Sequence, residues 1–498
     1  MLFRVYIKKT VILIGSIFLI LIIDPNLAAA QTGNNWMPQR NIPLYHPETE
    51  PPFLIADQNR TVHAFSSQWI GDDNQQKAIV YNQWNPDTGW TVPVDIILPP
   101  LKAQARLKGA YLDQADMVHL IFFSGDDTDA NIYYSRAPLA HAGLATAWSK
   151  PQVIGVRART PDQAAIVGDS NNKLFVLYSS NRGGTGLYFT YSTDAGTIWS
   201  KPSPMFLTYN EDLFPYDLTM YVDEQDNVHA LWNVNNRSGQ AEAMYYTKLE
   251  AGQIEWSEPV RFAPVSVINQ PSIIAHEDEL FLIYHTGDQS RHMRRSSDGG
   301  DTWTGAVKLF PHVGSNGAPS LVVDNNNVLY MFFGNRVGGV HGMWHSVWQG
   351  AYWSDPEALA SGPVIKGEIG GEGFDPSHAR AIVSQGNVIL VTWDTDPQNG
   401  LNGVWYSYTT VDAPELPAVA LRTPAPAPSP IPNATTTQFV PNSTVSTQAV
   451  FSDLNYNGPD NSSNDHPLLP VIIGTAPVVL ALLAAVALIL KFQQIRRL

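Results

Sequence analysis

The chain has 498 residues, a formal net charge of −15 and no cysteine. A surface with that charge repels the nucleic-acid backbone, which argues against nucleic acid as a partner. The absence of cysteine excludes disulfides, thiol catalysis and metal sites built from thiolates.

The first thirty residues have the pattern of a secretory signal peptide. Arg4, Lys8 and Lys9 precede an apolar stretch from Val11 to Ile23, and small residues follow at 28–30. The apolar stretch is short for a bilayer, which makes an uncleaved anchor the weaker alternative. We expect residues 1–30 to be removed on export.

Residues 31–416 carry a repeat marked by tryptophan. Seven of these residues recur at intervals of 47 to 58 residues, namely Trp36, Trp90, Trp148, Trp199, Trp256, Trp303 and Trp353. Between them lie short aromatic and β-branched runs bounded by Gly, Asn and Asp, such as "TVHAF", "NIYYSR" and "GLYFTYS". Such runs are typical of antiparallel strands, and four per repeat predict an all-β propeller.

The count of runs predicts seven blades of four strands. Only six of the seven inner hairpins are followed by a tryptophan run, and the seventh such run is "NWMPQRNIPL" at residues 35–44. We therefore expect this N-terminal segment to be the outer strand of the last blade and to close the ring, which leaves no open sheet edge.

Two repeats contain the stricter pattern Ser-x-Asp-x-Gly-x-x-Trp. In these turns we expect the carboxylate to accept backbone hydrogen bonds, the glycine to take a positive φ and the tryptophan to cover the blade edge. We interpret these residues as structural: Ser192, Asp194, Gly196 and Trp199 in one turn, and Ser296, Asp298, Gly300 and Trp303 in the other. The chain here resembles the Asp-box (BNR) repeat proteins, which include the sialidases, over roughly residues 34–416.

The resemblance implies a function directed at glycans, and it indicates which face of the propeller would carry a site. In a propeller, the connections between blades share one face with the loops between second and third strands, and the Asp-box turns lie on the other. Sialidases use a tyrosine nucleophile, a helper glutamate and an aspartate acid/base. The mouth-facing segments offer Tyr216, Glu372 and Asp217 for these roles.

Three arginines occupy equivalent loops of the third, fourth and sixth blades. Arg182, Arg237 and Arg336 follow asparagine in "SSNRGGTG", "NVNNRSG" and "FGNRVGG". On one face they are suited to hold a carboxylate, as a sialidase holds its sugar acid. The alternative is that Asn-Arg is a repeated structural element whose arginine packs on the neighbouring blade.

No cofactor or metal site is expected. His63, His119 and His229 recur at one repeat position, but each belongs to a different blade and none has a His-x-x-x-His partner. They do not predict a metal centre.

The C-terminal part predicts a stalk and a membrane anchor. Residues 417–467 are rich in Pro, Ser and Thr and too poor in apolar residues for a core. Residues 468–490 have no charge, and as a helix they would extend about 34 Å, enough to cross a bilayer. The basic tail 491–498 then places the propeller outside the cell.

These patterns leave three functions open. The first is a monomeric, membrane-anchored propeller directed at glycans, with sialidase-like glycoside hydrolase activity. The second is a non-catalytic receptor for glycans or proteins, and the third is a scaffold of the cell envelope. Residues 40–43 read Arg-Asn-Ile-Pro where sialidases have Arg-Ile-Pro, and sialidases have six blades, so these departures favour binding without catalysis.

Overall fold

A computed structural model shows a seven-bladed propeller of four-stranded antiparallel blades, which confirms the predicted fold class. The structure describes residues 36–422, apart from the segments 72–75, 102–103, 127–128, 158–159, 263–267, 287–289, 312–315, 336–340, 363–375 and 396–402. The predicted signal peptide, most of the stalk, the predicted membrane helix and the basic tail lie outside these residues. Within them, no helix is long and apolar enough to span a membrane.

The first three blades follow one another along the chain. Blade 1 contains β2 (Phe53–Ala56), β3 (Val62–Ile70), β4 (Gln76–Asn85) and an outer strand split into β5 (Gly89–Trp90) and β6 (Val94–Ile97). Blade 2 contains β7 (Ala105–Leu112), β8 (Met117–Gly125), β9 (Ala130–Pro138) and β10 (Gln152–Val156), with 3-10 turns at Leu139–His141 and Ala145–Ala147. Blade 3 contains β11 (Ala164–Gly168), β12 (Leu174–Ser180), β13 (Gly186–Ser192) and β14 (Ser203–Leu207).

The remaining blades repeat this order, and blade 7 combines both ends of the ring. Blade 4 contains β15 (Leu213–Val222), β16 (Val228–Asn236), β17 (Ala241–Leu249) and β18 (Val260–Phe262). Blade 5 contains β19 (Ile268–His276), β20 (Glu279–Thr286), β21 (Arg291–Ser296) and β22 (Val307–Leu309). Blade 6 contains β23 (Asn316–Val323), β24 (Leu329–Asn335), β25 (His341–Val347) and β26 (Glu357–Gly362). Blade 7 contains β27 (Pro376–Ser384), β28 (Val388–Thr395), β29 (Gly403–Thr410) and, as its outer strand, β1 (Arg40–Asn41).

The N-terminal segment pairs with the last strand of the ring. Arg40 lies opposite Tyr406 and Asn41 opposite Trp405, in antiparallel register. Backbone bonds at either side continue the pairing, from Met37 N to the Tyr408 carbonyl (2.9 Å) and from Ile42 N to the Val404 carbonyl (2.8 Å). The segment therefore occupies the position that the repeat count predicts.

The repeated tryptophans join neighbouring blades. Each one packs against the blade that precedes its own, mostly edge-on to an aromatic ring, an arrangement that favours the ring quadrupoles. The pairs are Trp36 with Phe332, Trp90 with Tyr406, Trp148 with Phe65, Trp199 with Tyr134, Trp256 with Phe189, Trp303 with Tyr246, and Trp353 with Met293. The repeat signal in the sequence is thus the contact between blades.

The two faces of the ring differ in what they carry. We call the face with the connections between blades the mouth face, and the opposite face, which carries the turns after each innermost strand, the turn face. The turns at Asp194 and Asp298 lie on the turn face. There Asp194 Oδ1 accepts the Ile198 amide at 2.8 Å, and Asp298 Oδ1 accepts the Thr302 amide at 2.9 Å.

A C-terminal strap, residues 411–422, crosses the turn face. Its backbone bonds reach blade 7 (Leu416 N to the Gln385 carbonyl, 2.7 Å), blade 1 (Val419 N to the Gln58 carbonyl, 2.8 Å) and blade 2 (Arg422 N to Asp116 Oδ2, 3.1 Å). Asn325 of blade 6 donates to the Pro414 carbonyl at 2.9 Å. One short segment therefore touches four consecutive blades.

Candidate functional site

The innermost strands are bulged at the mouth end of the channel. The register shifts in β7, β15, β19, β23 and β27, at one comparable place in each blade. Three of these bulges hold a non-glycine residue at positive φ: Asp217 (52°), Gln270 (52°) and His378 (47°). A bulge re-aims its side chains, and a left-handed non-glycine residue is strained, so both features are characteristic of functional positions.

Asp217 has an environment that favours its protonated form. Its Oδ2 accepts the Asn233 side-chain amide at 2.8 Å, and the Gln270 backbone also donates to it. Burial nevertheless raises the pKa of the carboxyl, and the nearby charge of His378 offsets this only in part. A carboxyl of this kind is a candidate proton donor.

Tyr216 lies beside Asp217 and opposite Asn233 in the sheet. Burial, together with the charge of Asp217, raises the pKa of the Tyr216 phenol. The neutral phenol is therefore favoured, and a nucleophilic role requires a base to accept its proton. Glu372, predicted as the helper, lies outside the described residues.

His378 forms a compact polar group with its neighbours. Its Nδ1 lies 3.0 Å from both carboxylate oxygens of Asp394, and Ser377 Oγ donates to Asp394 Oδ1 at 2.7 Å. Burial lowers the pKa of His378, but the bond and charge of Asp394 outweigh it, so the pKa is raised overall. The imidazolium is thus stabilised close to Asp217.

A polar cavity of about 320 Å³ lies in the channel beside these bulges. Residues of blades 1, 2, 3, 4 and 7 line it, including Glu50, Phe53, Lys108, Asp162, Gln163 and Arg380. A cavity of this volume lies at the lower end of the range for small-ligand sites. The packed blades therefore surround a charged cavity in the central channel, which we call the recess.

Ion pairs hold one wall of the cavity. Asp162 forms an ion pair with Arg106, and its other oxygen lies 3.1 Å from Arg157 Nε. Burial raises the pKa of Glu50, but the charges of Lys108 and other cations lower it by more than burial raises it. Glu50 is therefore ionised. Its negative charge partly balances the cations of the recess.

Arg380 is a cation of the cavity and has an open hydrogen-bonding position. Its guanidinium carbon lies 3.7 Å from the centroid of the Phe53 ring, which orients the group by stacking. Burial lowers the pKa of Arg380 to about 10, so the group is charged at neutral pH. Its Nη1 is buried without a hydrogen-bond partner in the part of the chain that the structure describes. An unsatisfied buried donor of this kind is unfavourable, and an anionic ligand would satisfy it.

The three predicted loop arginines are placed as follows. Arg237 Nε lies 2.8 Å from Asp212 Oδ1, and both side chains are exposed. Arg182 is also exposed, whereas Arg336 lies outside the described residues. Within the described residues no contact joins Arg182 to Arg237, so a carboxylate-binding cluster of the three stays a prediction.

A second cavity lies between blades 3 and 4 on the mouth face. It has a volume of about 560 Å³ and is lined by Asn181, Gly184, Thr185, Glu211, Phe214 and Arg237. Arg237, one of the predicted substrate-binding residues, therefore belongs to this cavity and not to the channel recess.

Each of the recurrent histidines belongs to a buried triad within its own blade, and the described residues show no site that the three share. His63, His119 and His229 each bridge an aspartate and a tyrosine of their own blade; for His119, Nε2 lies 3.1 Å from Asp113 and Nδ1 lies 2.7 Å from Tyr134 Oη. Among the described residues there is no group of three or more His, Asp or Glu side chains arranged to hold a metal.

The sequence did not single out the recess residues. Glu50, Lys108 and Arg380 stand in or beside ordinary strand runs, and only the arrangement of the blades around the channel brings them together. The sequence did contain one usable signal. Several innermost strands have charged residues near their start, at positions where apolar or small residues are usual in the core of a propeller.

Comparisons with known proteins agree with the fold. Residues 148–353 match the family model described as the DUF6242 beta propeller domain. No curated protein matches the chain.

Several solved structures are similar over most of the chain. An ulvan lyase of the PL25 family is 11% identical, with 77% of this chain and 96% of that chain covered and a TM-score of 0.49. A protein of unknown function from Dyadobacter fermentans is 13% identical (76% and 98% covered, TM-score 0.45). The NanB sialidase from Streptococcus pneumoniae is 10% identical (76% and 70% covered, TM-score 0.42). None of these likenesses assigns an activity to this chain.

Proposed function

We propose that this chain binds acidic glycans at the mouth end of its channel. The observation that carries the proposal is the buried, unpartnered Nη1 of Arg380 in a polar recess. A carboxylate or sulfate on a sugar supplies the acceptor oxygens that this guanidinium lacks. Lys108, Gln163 and Glu50 supply donors and acceptors for hydroxyl groups around it.

Binding of acidic glycans tests this proposal directly. Arg380→Gln in the full chain should lower affinity for carboxylated and sulfated oligosaccharides by roughly tenfold or more, because a charge-assisted pair is lost. Arg60→Gln is the matched control, since Arg60 is an exposed arginine of the turn face. Undiminished binding by Arg380→Gln, or an equal loss in Arg60→Gln, would reject the recess as the site.

Glycoside hydrolysis at the same mouth is the second candidate function. The raised pKa of Asp217 beside Tyr216 favours it, because glycoside cleavage needs a proton donor next to the scissile bond. In this proposal Asp217 is the acid/base, Tyr216 the nucleophile and Glu372 its helper.

Turnover separates the enzyme from the receptor. A fluorogenic sialoside and related glycosides are the substrates, and Tyr216→Phe, Asp217→Asn and Glu372→Gln should each reduce the rate far more than the melting temperature. Arg182→Ala, Arg237→Ala and Arg336→Ala should chiefly weaken binding of acidic sugars. No turnover with intact glycan binding would leave a non-catalytic receptor.

We further propose that the two Asp-box turns are structural and that the chain is a membrane-anchored monomer. The signal-like N-terminus, the uncharged stretch 468–490 and the basic tail support an extracellular propeller on a single helix. Protease digestion of intact cells tests this orientation. Release of the propeller into the medium agrees with it, and full protection in cells that bear the protein contradicts it.

A further inference from the structure

We propose that the ligand is an oligosaccharide chain which runs from the channel recess to the second cavity between blades 3 and 4. This inference rests on the proposed glycan binding and adds to it the length and direction of the ligand. It also gives Arg237 and Phe214 roles that the recess alone does not explain.

The first observation is that the same two blades line both cavities. In blade 3, Asp162, Gln163 and Ala164 line the recess, while Asn181, Gly184 and Thr185 line the outer cavity. In blade 4, Leu218 lines the recess and Phe214 the outer cavity. Both cavities thus border the seam between blades 3 and 4.

The second observation is the spacing along β15. Phe214 and Leu218 are four residues apart on this strand, which is at most about 13 Å at about 3.3 Å per residue, because the bulge at Asp217 shortens the span. That length exceeds one sugar ring and fits a short chain of sugars. Tyr216 and Asp217 stand between these two positions along the strand.

The third observation is the chemistry of the outer cavity. Phe214 provides a partly exposed aromatic ring, Glu211 an exposed carboxylate, and Arg237 a guanidinium held by Asp212 at 2.8 Å. Exposed aromatics next to charged hydrogen-bonding groups suit the apolar faces and hydroxyl edges of sugars. The outer cavity is also larger than the recess, at about 560 Å³ against about 320 Å³.

One contact keeps the seam in register. The Leu218 amide of blade 4 donates to Gln163 Oε1 of blade 3 at 3.3 Å. Because Gln163 itself lines the recess, it both joins the blades and borders the inner end of the ligand path. The inner end of the proposed path therefore lies at a direct contact between blades 3 and 4.

A length series tests the inference. Calorimetry with the full chain would measure affinity for oligogalacturonates of one to six units, and for sulfated oligosaccharides of matched length in a second arm. We expect affinity to rise by roughly tenfold between the shortest and the middle members and then to level off, as the outer cavity becomes filled. Arg237→Gln and Phe214→Ala should remove this rise, so that the longer members bind no more tightly than the shortest ones.

Two controls keep the outcomes distinct. Tyr352→Ala removes an exposed aromatic of blade 6 that lines neither cavity, and it should retain the length dependence. Arg237 is an exposed residue, so its variant answers the question if Phe214→Ala fails to fold. Binding that is independent of length in the unmodified chain would overturn this inference and leave the proposed function in place. No binding of any acidic saccharide would overturn both.

Discussion

In each of three blades, an aspartate, a histidine and a tyrosine form a buried chain of hydrogen bonds between strands, which we call the relay. In blade 2, Asp113 binds the turn amides of Ala115 and Met117 through Oδ1 (2.8 Å each) and lies against His119 through Oδ2. His119 in turn meets Tyr134, whose hydroxyl approaches the turn at Ala195 in the next blade. The relay therefore joins a turn, two strands and the neighbouring blade.

Glycine is required where this relay meets the next blade. A Cβ at Gly196 would lie 1.8 Å from Tyr134 Oη, and Gly196 has φ of 83°. Gly300 is in the same position against Tyr246. The Gly in the Ser-x-Asp-x-Gly pattern thus serves both the turn and the contact between blades.

The relay predicts acid sensitivity. Burial lowers the pKa of His119. Burial raises the pKa of Asp113, but the bond and charge of His119 and the backbone bonds from Met117 and Ala115 together outweigh it, so the pKa of Asp113 is also lowered. Both groups bind protons more weakly in the folded chain, so their stabilising contribution is complete above about pH 6.5 and falls as the pH drops below the unfolded values of about 6.5 and about 4. We expect the melting temperature to decline in these two ranges.

His119→Gln tests the upper range. The variant should melt at a lower temperature at neutral pH, because Asp113 and Tyr134 lose a partner worth about 1 to 3 kcal/mol. It should also show a flatter profile between about pH 7 and about pH 5. His141→Gln, in the 3-10 turn of blade 2, is the control. A profile for His119→Gln that parallels the unmodified chain would contradict the relay.

Asp298 tests the structural interpretation of the turns at Asp194 and Asp298. Hydrogen bonds from Thr302, together with one from Ser296, lower the pKa of its carboxyl to about 2. Asp298→Ala should lower the melting temperature by a few degrees without changing glycan affinity, since the turn lies opposite the mouth face. Asp278→Ala, an exposed residue of another turn on the same face of blade 5, is the control. Lost binding at an unchanged melting temperature would refute the structural role.

At the scale of elements, the repeats could be predicted from the sequence because every blade is built from the same set of strands. The spacing of tryptophan and the aromatic runs predicted seven blades, and even the displaced run at residues 35–44 was assigned to blade 7. The bulges were not predictable, because a register shift depends on how two strands pair and not on the composition of one. Arg380 was missed for the same reason, since it follows the bulge at His378 in an otherwise ordinary strand.

The N-terminal strand gives a prediction at this scale. We propose that β1 closes the ring, so deletion of residues 31–46 should leave β29 without its outer partner and remove Trp36 from its contact with Phe332. The melting temperature should fall and the exposed edge should promote aggregation. Deletion of residues 31–35 alone is the control and should be silent. An unchanged melting temperature in the longer deletion would reject closure by this strand.

At the scale of the whole molecule, stability is distributed over the contacts between blades. Seven tryptophans each join two blades, and the strap adds bonds across blades 6, 7, 1 and 2 on the turn face. Truncation after Thr410 should therefore lower the melting temperature, whereas truncation after Ala425 should not. Equal stability of the two truncated chains, measured by calorimetry, would show that the strap contributes nothing.

The strap also determines how the ring bears mechanical load. Tension applied to the chain beyond Arg422 meets the bonds to blade 2 first, then those to blades 1, 7 and 6, before it reaches the end of β29. Without the strap, the same tension would act directly on the end of β29 and would separate this strand from blade 7. We therefore expect the strap to distribute a pull on this end over four blades, which would protect the ring in the membrane-anchored chain that we propose.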